Sequence, residues 1–374
     1  MACNVSNLPA SLDTCHHPHL SLPLLRRSST VRCCSSSSPK TLNLKSLEDP
    51  SPLFRSLTAF APATVANLGP GFDVLGCAVD GIGDHVTVSP DPSVPRGTVR
   101  IDSITGGSGV SRLSRNPNFN CAGIAAVETM RRLGIRSVGL SLSLEKGLPL
   151  GSGLGSSAAS AAAAAAAVNG MFGGALSHHA LVLAGLESEA RVSGRHADNI
   201  APAIMGGFVL IRGYQPLDLH RLEFPDHKEL FFVLASPEFE APTKKMREAL
   251  PREVAMVEVV HNSAQVAALV AAVLGGDARG VGSAMSADVI VEPRRAPLIP
   301  GMAAVKVAAV KAGAFGCTIS GAGPTAVAVT DDEEMGREIG DRMVEAFWRD
   351  GKLKAAATVR RLDRVGARVV GSED

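Results

Sequence analysis

From Ser157 to Val168 the chain is almost pure alanine, with nothing larger than valine on any face. Alanine is the strongest helix former, so the segment is predicted to be a helix. A helix without large side chains can pack closely against a sheet or another helix, which lets its first turn be held rigidly. Immediately ahead stands Pro149-Leu150-Gly151-Ser152-Gly153-Leu154-Gly155-Ser156-Ser157-Ala158-Ala159. Three alternating glycines keep Cβ atoms out of the way and free the backbone in φ, so successive N–H groups can converge on an anion. The open amides of the first turn and the positive end of the helix dipole favour a phosphate at the same place.

Spacing separates this stretch from familiar phosphate loops. A Walker loop needs Gly-x-x-x-x-Gly-Lys-Ser/Thr, and no lysine precedes Ser156. A dinucleotide fingerprint wants an acid about 20 residues further on, where the chain has Phe172-Gly173-Gly174-Ala175. A plain Gly/Ser turn before an alanine helix is the remaining structural alternative. The helix start adds a chemical hint, because Mg²⁺ favours hydroxyl, carboxylate and phosphate oxygens. Ser156 or Ser157 could supply the hydroxyl, and Glu187 or Glu189 on the next predicted helix the carboxylate. These features predict an ATP-dependent kinase acting on a small molecule.

The 374 residues suit about two domains. The first 47 hold a single acid, Asp13, against Arg26, Arg27, Arg32, Lys40 and Lys45, with serine runs at Ser28–Ser29 and Ser35–Ser38. Poverty in acids and richness in serine are the composition of an organelle transit peptide, and the serines favour a plastid, so residues 1–50 are expected to be a disordered leader and the mature protein to lie in the chloroplast stroma. Residues 51–218 and 219–374 then form two domains. Beyond the leader only Cys77, Cys121 and Cys317 remain, too few for a metal tetrad or disulfide framework. With 37 basic and 36 acidic residues, one tryptophan and one tyrosine, nucleic acid is not an expected partner. No apolar run is read as reaching the roughly 18 residues of a membrane helix, so no membrane is expected either.

Ser56–Ala61 and Asp84–Ser89 read as strands, with a Gly- and Pro-studded segment from Pro62 to Gly83 between them. Asn120–Leu133 has helical spacing, and Val138–Leu144 alternates as a half-buried strand. Helix signals recur at Ser177–Ala190, and a strand at Gly207–Ile211 precedes a polar stretch, Tyr214–Asp226, that suggests a boundary. The remainder reads as a strand (Leu230–Ser236), helices (Thr243–Leu250, Val257–Leu274, Gly276–Asp288, Met302–Ala312), two strands (Cys317–Ser320, Ala326–Thr330), a helix (Glu333–Asp350) and a strand (Ala355–Arg360). That order suggests a ferredoxin-like second domain.

The glycine loop resembles the central Pro-x-x-x-Gly-Leu-Gly-Ser-Ser-Ala motif of the GHMP kinase family, and Cys317-Thr-Ile-Ser-Gly-Ala-Gly-Pro-Thr325 is similar to its late glycine motif. Three further strings resemble the family's homoserine kinase branch, in its plant form: Ala61 to Asp73, Ser193 to Pro202, and Glu292 to Arg295 followed by Leu298-Ile299-Pro300-Gly301. The resemblance implies an α+β, two-domain GHMP kinase fold. It pairs an N-terminal domain like ribosomal protein S5 domain 2 with a ferredoxin-like C-terminal domain and binds ATP with Mg²⁺ between them. Pro149 to Ala158 would hold the nucleotide, and Ser157 and Glu189 the metal. The same resemblance implies a homodimer.

It also implies an amino-acid substrate, L-homoserine. Such a zwitterion needs an anion for its ammonium, for which Asp73 is suited, and cations for its carboxylate. Arg247 and Arg295 suit the carboxylate through paired hydrogen bonds. Asn67, His196 and Thr243 complete the expected pocket, and Asn67, His196, Asp198 and Asn199 are the expected catalytic set. Taken singly each has an ordinary explanation: Arg247 as a solvated helix residue, His196 as a loop or core histidine, Asn67 and Asp73 as turn braces. Asn199 stands where other GHMP kinases carry an aspartate, so no general base is named, and Asp198 is expected to orient its neighbours. Two other readings remain: a mevalonate-type kinase, whose substrate has no ammonium for Asp73, and a non-catalytic sensor.

Overall fold

The computed structural model describes residues 49–107, 109–192 and 194–374, so residues 1–48 of the expected leader, and Ser193 of the Ser193–Pro202 string, lie outside the described residues. Asp49, expected in the disordered leader, instead accepts the Arg136 N–H at 2.9 Å and so belongs to the folded body. The first half runs β1 (Ser56–Ala66), β2 (Leu75–Pro90), β3 (Val99–Gly106), α1 (Cys121–Leu133), β4 (Leu140–Lys146), α2 (Ser156–Met171), α3 (His178–Val192), α4 (Ala197–Met205), β5 (Phe208–Tyr214) and β6 (Leu217–Leu222). The second half runs β7 (Phe231–Pro237), α5 (Thr243–Glu248), α6 (Met256–Gly275), α7 (Ala278–Met285), α8 (Glu292–Arg295), α9 (Met302–Lys311), β8 (Gly316–Ile319), β9 (Ala326–Thr330), α10 (Glu333–Gly351), β10 (Ala355–Arg361) and β11 (Arg368–Glu373).

Two sheets result. Seven strands pair in the order β11-β1-β2-β4-β3, with β5 on β2 and β6 on β5. The β3–β4 pair is parallel, with α1 in the connection, and the other pairs are antiparallel. The second sheet has the order β10-β7-β9-β8, wholly antiparallel, as a ferredoxin-like unit requires. The alanine helix α2 is buried almost throughout and packs on β1, β2, β11, α1, α3 and α4. Its small side chains let these elements approach it closely, which fixes the glycine loop at its head.

The structure departs from the sequence pattern in instructive places. The expected loop from Pro62 to Gly83 shrinks to residues 67–74, because β1 and β2 pair along their length and absorb Pro62 at a register shift between Pro62 and Ala63. A bulge is one of the few places where a sheet tolerates a residue without an N–H. The expected boundary stretch holds β6, which pairs with β5. The terminal strand β11, whose exposed polar sequence gave no strand signal, pairs with β1. Helix α4 had no sequence signal, since Pro202 lies inside it. Finally α6, 20 residues with mean hydropathy 1.5, is long and apolar enough to cross a membrane by length and composition. Glu258 and the run His261-Asn262-Ser263 interrupt it as read from the sequence.

Candidate active site

Three glycine-bearing loops meet between the sheets. In the first, Asn67, Leu68 and Asp73 adopt positive φ (71°, 48° and 61°), a conformation that non-glycine residues keep only when their surroundings enforce it. Asn67 supplies that enforcement: its Oδ1 accepts the Asp73 N–H at 3.0 Å and its Nδ2 donates to the Gly321 carbonyl at 2.9 Å. The second loop is locked to the third. Thr325 N–H donates to the Ser152 carbonyl at 3.1 Å, while Gly321 N–H donates to the Ala66 carbonyl at 3.0 Å and ties the third loop to the first.

Gly155, in the left-handed region at φ 67°, turns the chain into α2, whose start has no side-chain cap. A Cβ there would fall 2.0 Å from Thr64 Oγ1, the hydroxyl that donates to Asn199 Oδ1 at 2.7 Å. The first-turn amides of α2 therefore open on the cavity, a ready anion site. Ser156 and Ser157 both line the cavity, but the Ser156 hydroxyl donates to the Leu148 carbonyl at 3.3 Å. Glu189 is buried and lines it too. Glu187 instead pairs with Arg195 at 3.3 Å, with both side chains well exposed, which separates the two candidate carboxylates.

Opposite the glycine loop lies a polar cluster. Arg247 makes a bidentate pair with Asp73, Nη2 to Oδ1 at 2.6 Å and Nη1 to Oδ2 at 3.1 Å. His196 Nδ1 stands 3.4 Å from Asp73 Oδ2. Burial holds the imidazole below its usual range, Asp73 opposing the shift and Arg247 and Arg295 adding to it. Arg295, on the short helix α8, is 2% exposed and gives Nε to the Met246 carbonyl at 3.2 Å and Nη1 to Gly321 at 3.0 Å. Burial, then the neighbouring Arg247, pushes it down to about 10, so it remains a cation at neutral pH. Both guanidiniums stand about one ring contact from Phe72, at 5.1 and 5.0 Å. Asp198 is buried with no hydrogen-bond partner on Oδ1 among the described residues, and burial, reinforced by Asp73 and Glu189, pushes it up to about 7.

One cavity of about 550 Å³ gathers Asn67, Asp73, His196, Asp198, Asn199, Thr243, Arg247 and Arg295 with Leu150 to Gly153, Gly155 to Ser157, and Glu189. Three expected nucleotide residues stand back from it. Leu154 is buried in the core with its carbonyl taking the Thr64 N–H, Ala158 is wholly buried, and the Pro149 carbonyl accepts the Ser152 hydroxyl. They shape the loop through backbone and packing.

Two features escaped the sequence reading. Lys146, buried, pairs with the buried Asp84 and donates to the Ser156 carbonyl and Ser160 Oγ, both at 2.8 Å, directly beneath the first turn of α2. The signal was present: Leu140, Leu142, Leu144 and Lys146 share one buried face of β4, so a charge stands where the alternation calls for an apolar side chain. Tyr214, the chain's one tyrosine, accepts the Ala197 N–H at 3.0 Å and donates to the Asp73 carbonyl at 3.4 Å, joining the substrate loop to α4.

Comparison with known proteins decides the family. Residues 120–207 match the profile described as GHMP kinases N terminal domain, and residues 267–350 that of GHMP kinases C terminal. Homoserine kinase of Arabidopsis thaliana is 68% identical over 350 residues, covering 94% of this chain and 93% of that protein. The chain belongs to the GHMP kinase family. The homoserine kinase of Chlorobium phaeovibrioides is 41% identical over 324 residues, 84% of this chain and 100% of its own. A crystal structure of homoserine kinase from Cytophaga hutchinsonii superposes with a TM-score of 0.79 at 40% identity, covering 86% of this chain and 99% of that one. Within this GHMP kinase the N-terminal match carries the glycine loop, Glu189 and His196 to Asn199, and the C-terminal match carries Arg295 and the late glycine loop. Asn67, Asp73, Thr243 and Arg247 lie outside both matched segments and join the site through tertiary contacts.

Proposed function

We propose that the protein transfers the γ-phosphoryl group of ATP to the side-chain hydroxyl of L-homoserine, giving O-phospho-L-homoserine, a step that feeds threonine synthesis. The observation that carries this reading is the placement of one carboxylate, Asp73, and two guanidiniums, Arg247 and Arg295, around the cavity that the glycine loop lines. An α-amino acid offers the complementary ammonium and carboxylate. The similarity to homoserine kinases points to the same substrate.

The amides of Gly153 to Ser157 are assigned to the triphosphate of ATP. Ser157 and Glu189 suit a magnesium ion that arrives with it, because both offer hard oxygen donors at the cavity wall, and Mg²⁺ is commonly held by one or two carboxylates plus substrate phosphates. When bound, the metal would neutralise charge on the transferring phosphoryl group. Phosphoryl transfer depends mainly on positioning and charge stabilisation. Asn199, whose Oδ1 takes the Thr64 hydroxyl, has its amide N–H groups left to donate and no group that accepts a proton. Asp73 and the arginines orient the amino acid, and Asn67 and Tyr214 hold the Asp73 loop.

The composition of the leader supports import into the plastid, and the family resemblance supports a homodimer. Incubating the protein with ATP, Mg²⁺ and L-homoserine, and identifying the product by phosphorus NMR and mass spectrometry, tests the reaction. O-phosphohomoserine with no phosphorylation of mevalonate is the expected result. Failure to phosphorylate homoserine overturns the reading. Import of the full-length chain into isolated chloroplasts, with shortening on entry, tests the location, and sedimentation equilibrium tests the dimer.

A further inference from the structure

Arg112 and Glu240, 128 positions apart, are joined by two parallel bonds, Nη1 to Oε2 at 3.1 Å and Nη2 to Oε1 at 2.5 Å. Arg112 closes a single 3₁₀ turn, Val110–Arg112, in the connection between β3 and α1, and Glu240 stands between β7 and α5. Neither side chain lines the cavity, and 56% of each is exposed, but their chain neighbours Leu113 and Ala241 do line it. The pair therefore sits on the rim. It joins a wall made by Leu113 and Phe119 to Cys121 with a wall made by Ala241 to Lys244.

We propose that Arg112 and Glu240 are positioning residues that clasp the rim, parting to pass the nucleotide and closing to hold the two walls together during phosphoryl transfer. The inference rests on the reading that ATP occupies this cavity. An ordinary surface pair is the alternative, and strength alone does not separate the two, because an exposed pair shifts an equilibrium by at most about fivefold. That weakness suits a contact that must break once in every catalytic cycle, whereas a buried pair would strand its charges on opening. Charges on a rim act chiefly on the rates of entry and exit, and they respond to salt.

The local structure lets one side of the clasp move. The 3₁₀ turns Val110–Arg112 and Pro117–Phe119 contain no buried residue. Polar bonds from the first half of the chain hold this segment, Asn120 Nδ2 to the Ser114 carbonyl at 2.9 Å and Arg191 Nη1 to the Asn118 carbonyl at 3.5 Å. A segment without buried apolar anchors opens at low cost. Gly109, in the left-handed region at φ 88°, starts the first turn, and a Cβ there would lie 2.9 Å from Arg112 Nη2 and 3.5 Å from Leu150 Cδ1. The guanidinium thus passes over bare backbone beside the phosphate loop on its way to Glu240. The other wall is fixed at both ends, by Ala241 in the core next to Glu240 and by Arg247 on Asp73, so the clasp brings a movable segment to a fixed one.

Stopped-flow release of an ADP that carries a fluorophore on its ribose tests the clasp on the full-length protein. Arg112→Glu and Glu240→Arg each set like charges face to face, and each should release the nucleotide at least about threefold faster than wild type. The double variant rebuilds the pair with its charges exchanged and should return the rate to within about twofold of wild type. Raising salt from about 0.05 M to about 0.5 M shortens the reach of exposed charges, so it should speed release from wild type more than from the double variant Arg112→Gln, Glu240→Gln. Single variants that release at the wild-type rate, or an exchanged pair that releases no more slowly than either single variant, overturn the clasp. Should a reversed variant not fold, as its thermal melt reports, the salt comparison decides, and equal salt responses overturn the clasp. A wild-type protein that binds no nucleotide removes the underlying reading, whereas one that binds and releases it without any effect of charge reversal removes the clasp alone.

Discussion

Ser320 donates its hydroxyl to the carbonyl of Gly153 at 2.7 Å, tying the late glycine loop of the four-stranded sheet to the phosphate loop of the seven-stranded one. The contact is close enough that a Cβ on Gly153 would lie 2.5 Å from the Ser320 carbonyl oxygen and 2.8 Å from that of Gly323. Gly151, two residues earlier, has a similar positive φ but nothing within 4 Å of its would-be Cβ.

The two glycines therefore make a matched pair. Gly151→Ala should lose only the left-handed penalty, about 1–2 kcal/mol, with a modest change in ATP affinity. Gly153→Ala pays the same penalty and must also push two backbones apart, so its thermal midpoint should fall further and its KM for ATP rise at least about tenfold. Equal effects of the two substitutions would show that the loops do not depend on their contact.

Asp288 bears on the substrate pocket without touching it. Its carboxylate accepts the N–H groups of Ile290, Val291 and Glu292 and the Asn262 amide, which fixes the start of α8, the helix that carries Arg295. Loss of such a cap removes about 1–2 kcal/mol. Asp288→Ala should raise the KM for homoserine several-fold and leave that for ATP nearly unchanged. Equal rises in both constants would mean that the residue only supports the fold.

Lys146 and Asp84 form a buried ion pair beneath the phosphate loop. Lys146→Met leaves the carboxylate buried without its cation, which should destabilise the protein by about 3–5 kcal/mol in urea unfolding. Adding Asp84→Asn removes the stranded charge and keeps an acceptor for the Gly147 and Leu148 N–H groups. The double variant should recover at least about 1 kcal/mol; a double variant less stable than the single one would contradict the pairing.

Asp198 gives a pH signature. Its folded-state value of about 7 lies above the ordinary 3.8, so the folded protein holds a proton that the unfolded chain releases. The associated stability is fully present below pH 4 and is lost as pH rises through 7, an effect on the order of a few kcal/mol. Unfolding measured without nucleotide at pH 5 and pH 8 should show a drop for wild type that Asp198→Asn reduces. An unchanged drop would place the titration elsewhere.

Much of the site was legible because its signals are local. Glycines spaced two apart before an alanine run announce a loop at a helix start, whatever surrounds them. Asp73, Arg247 and Arg295 were legible as charges of the right kind. Their arrangement was not, since Asp73 and Arg247 are 174 positions apart and the bond between them exists only because two sheets meet. Glu187 and Glu189 read alike as helix carboxylates, and the resemblance named Glu189 from its place ahead of Gly194; in the structure Glu189 is buried and Glu187 makes an outward ion pair.

The sequence by itself determined the conformation of segments whose preference is written in their own residues: the alanine helix, the left-handed glycines, the alternation of β4. Those choices depend on backbone sterics and on hydrophobic period, which a short window contains. Tertiary structure alone decided that β11 returns to β1, that Lys146 turns inward to Asp84, and that Asp73 meets Arg247. Each of these depends on which distant group shares a desolvated space, and charges or strand edges far apart in the chain carry no local mark of the partner that folding will bring to them.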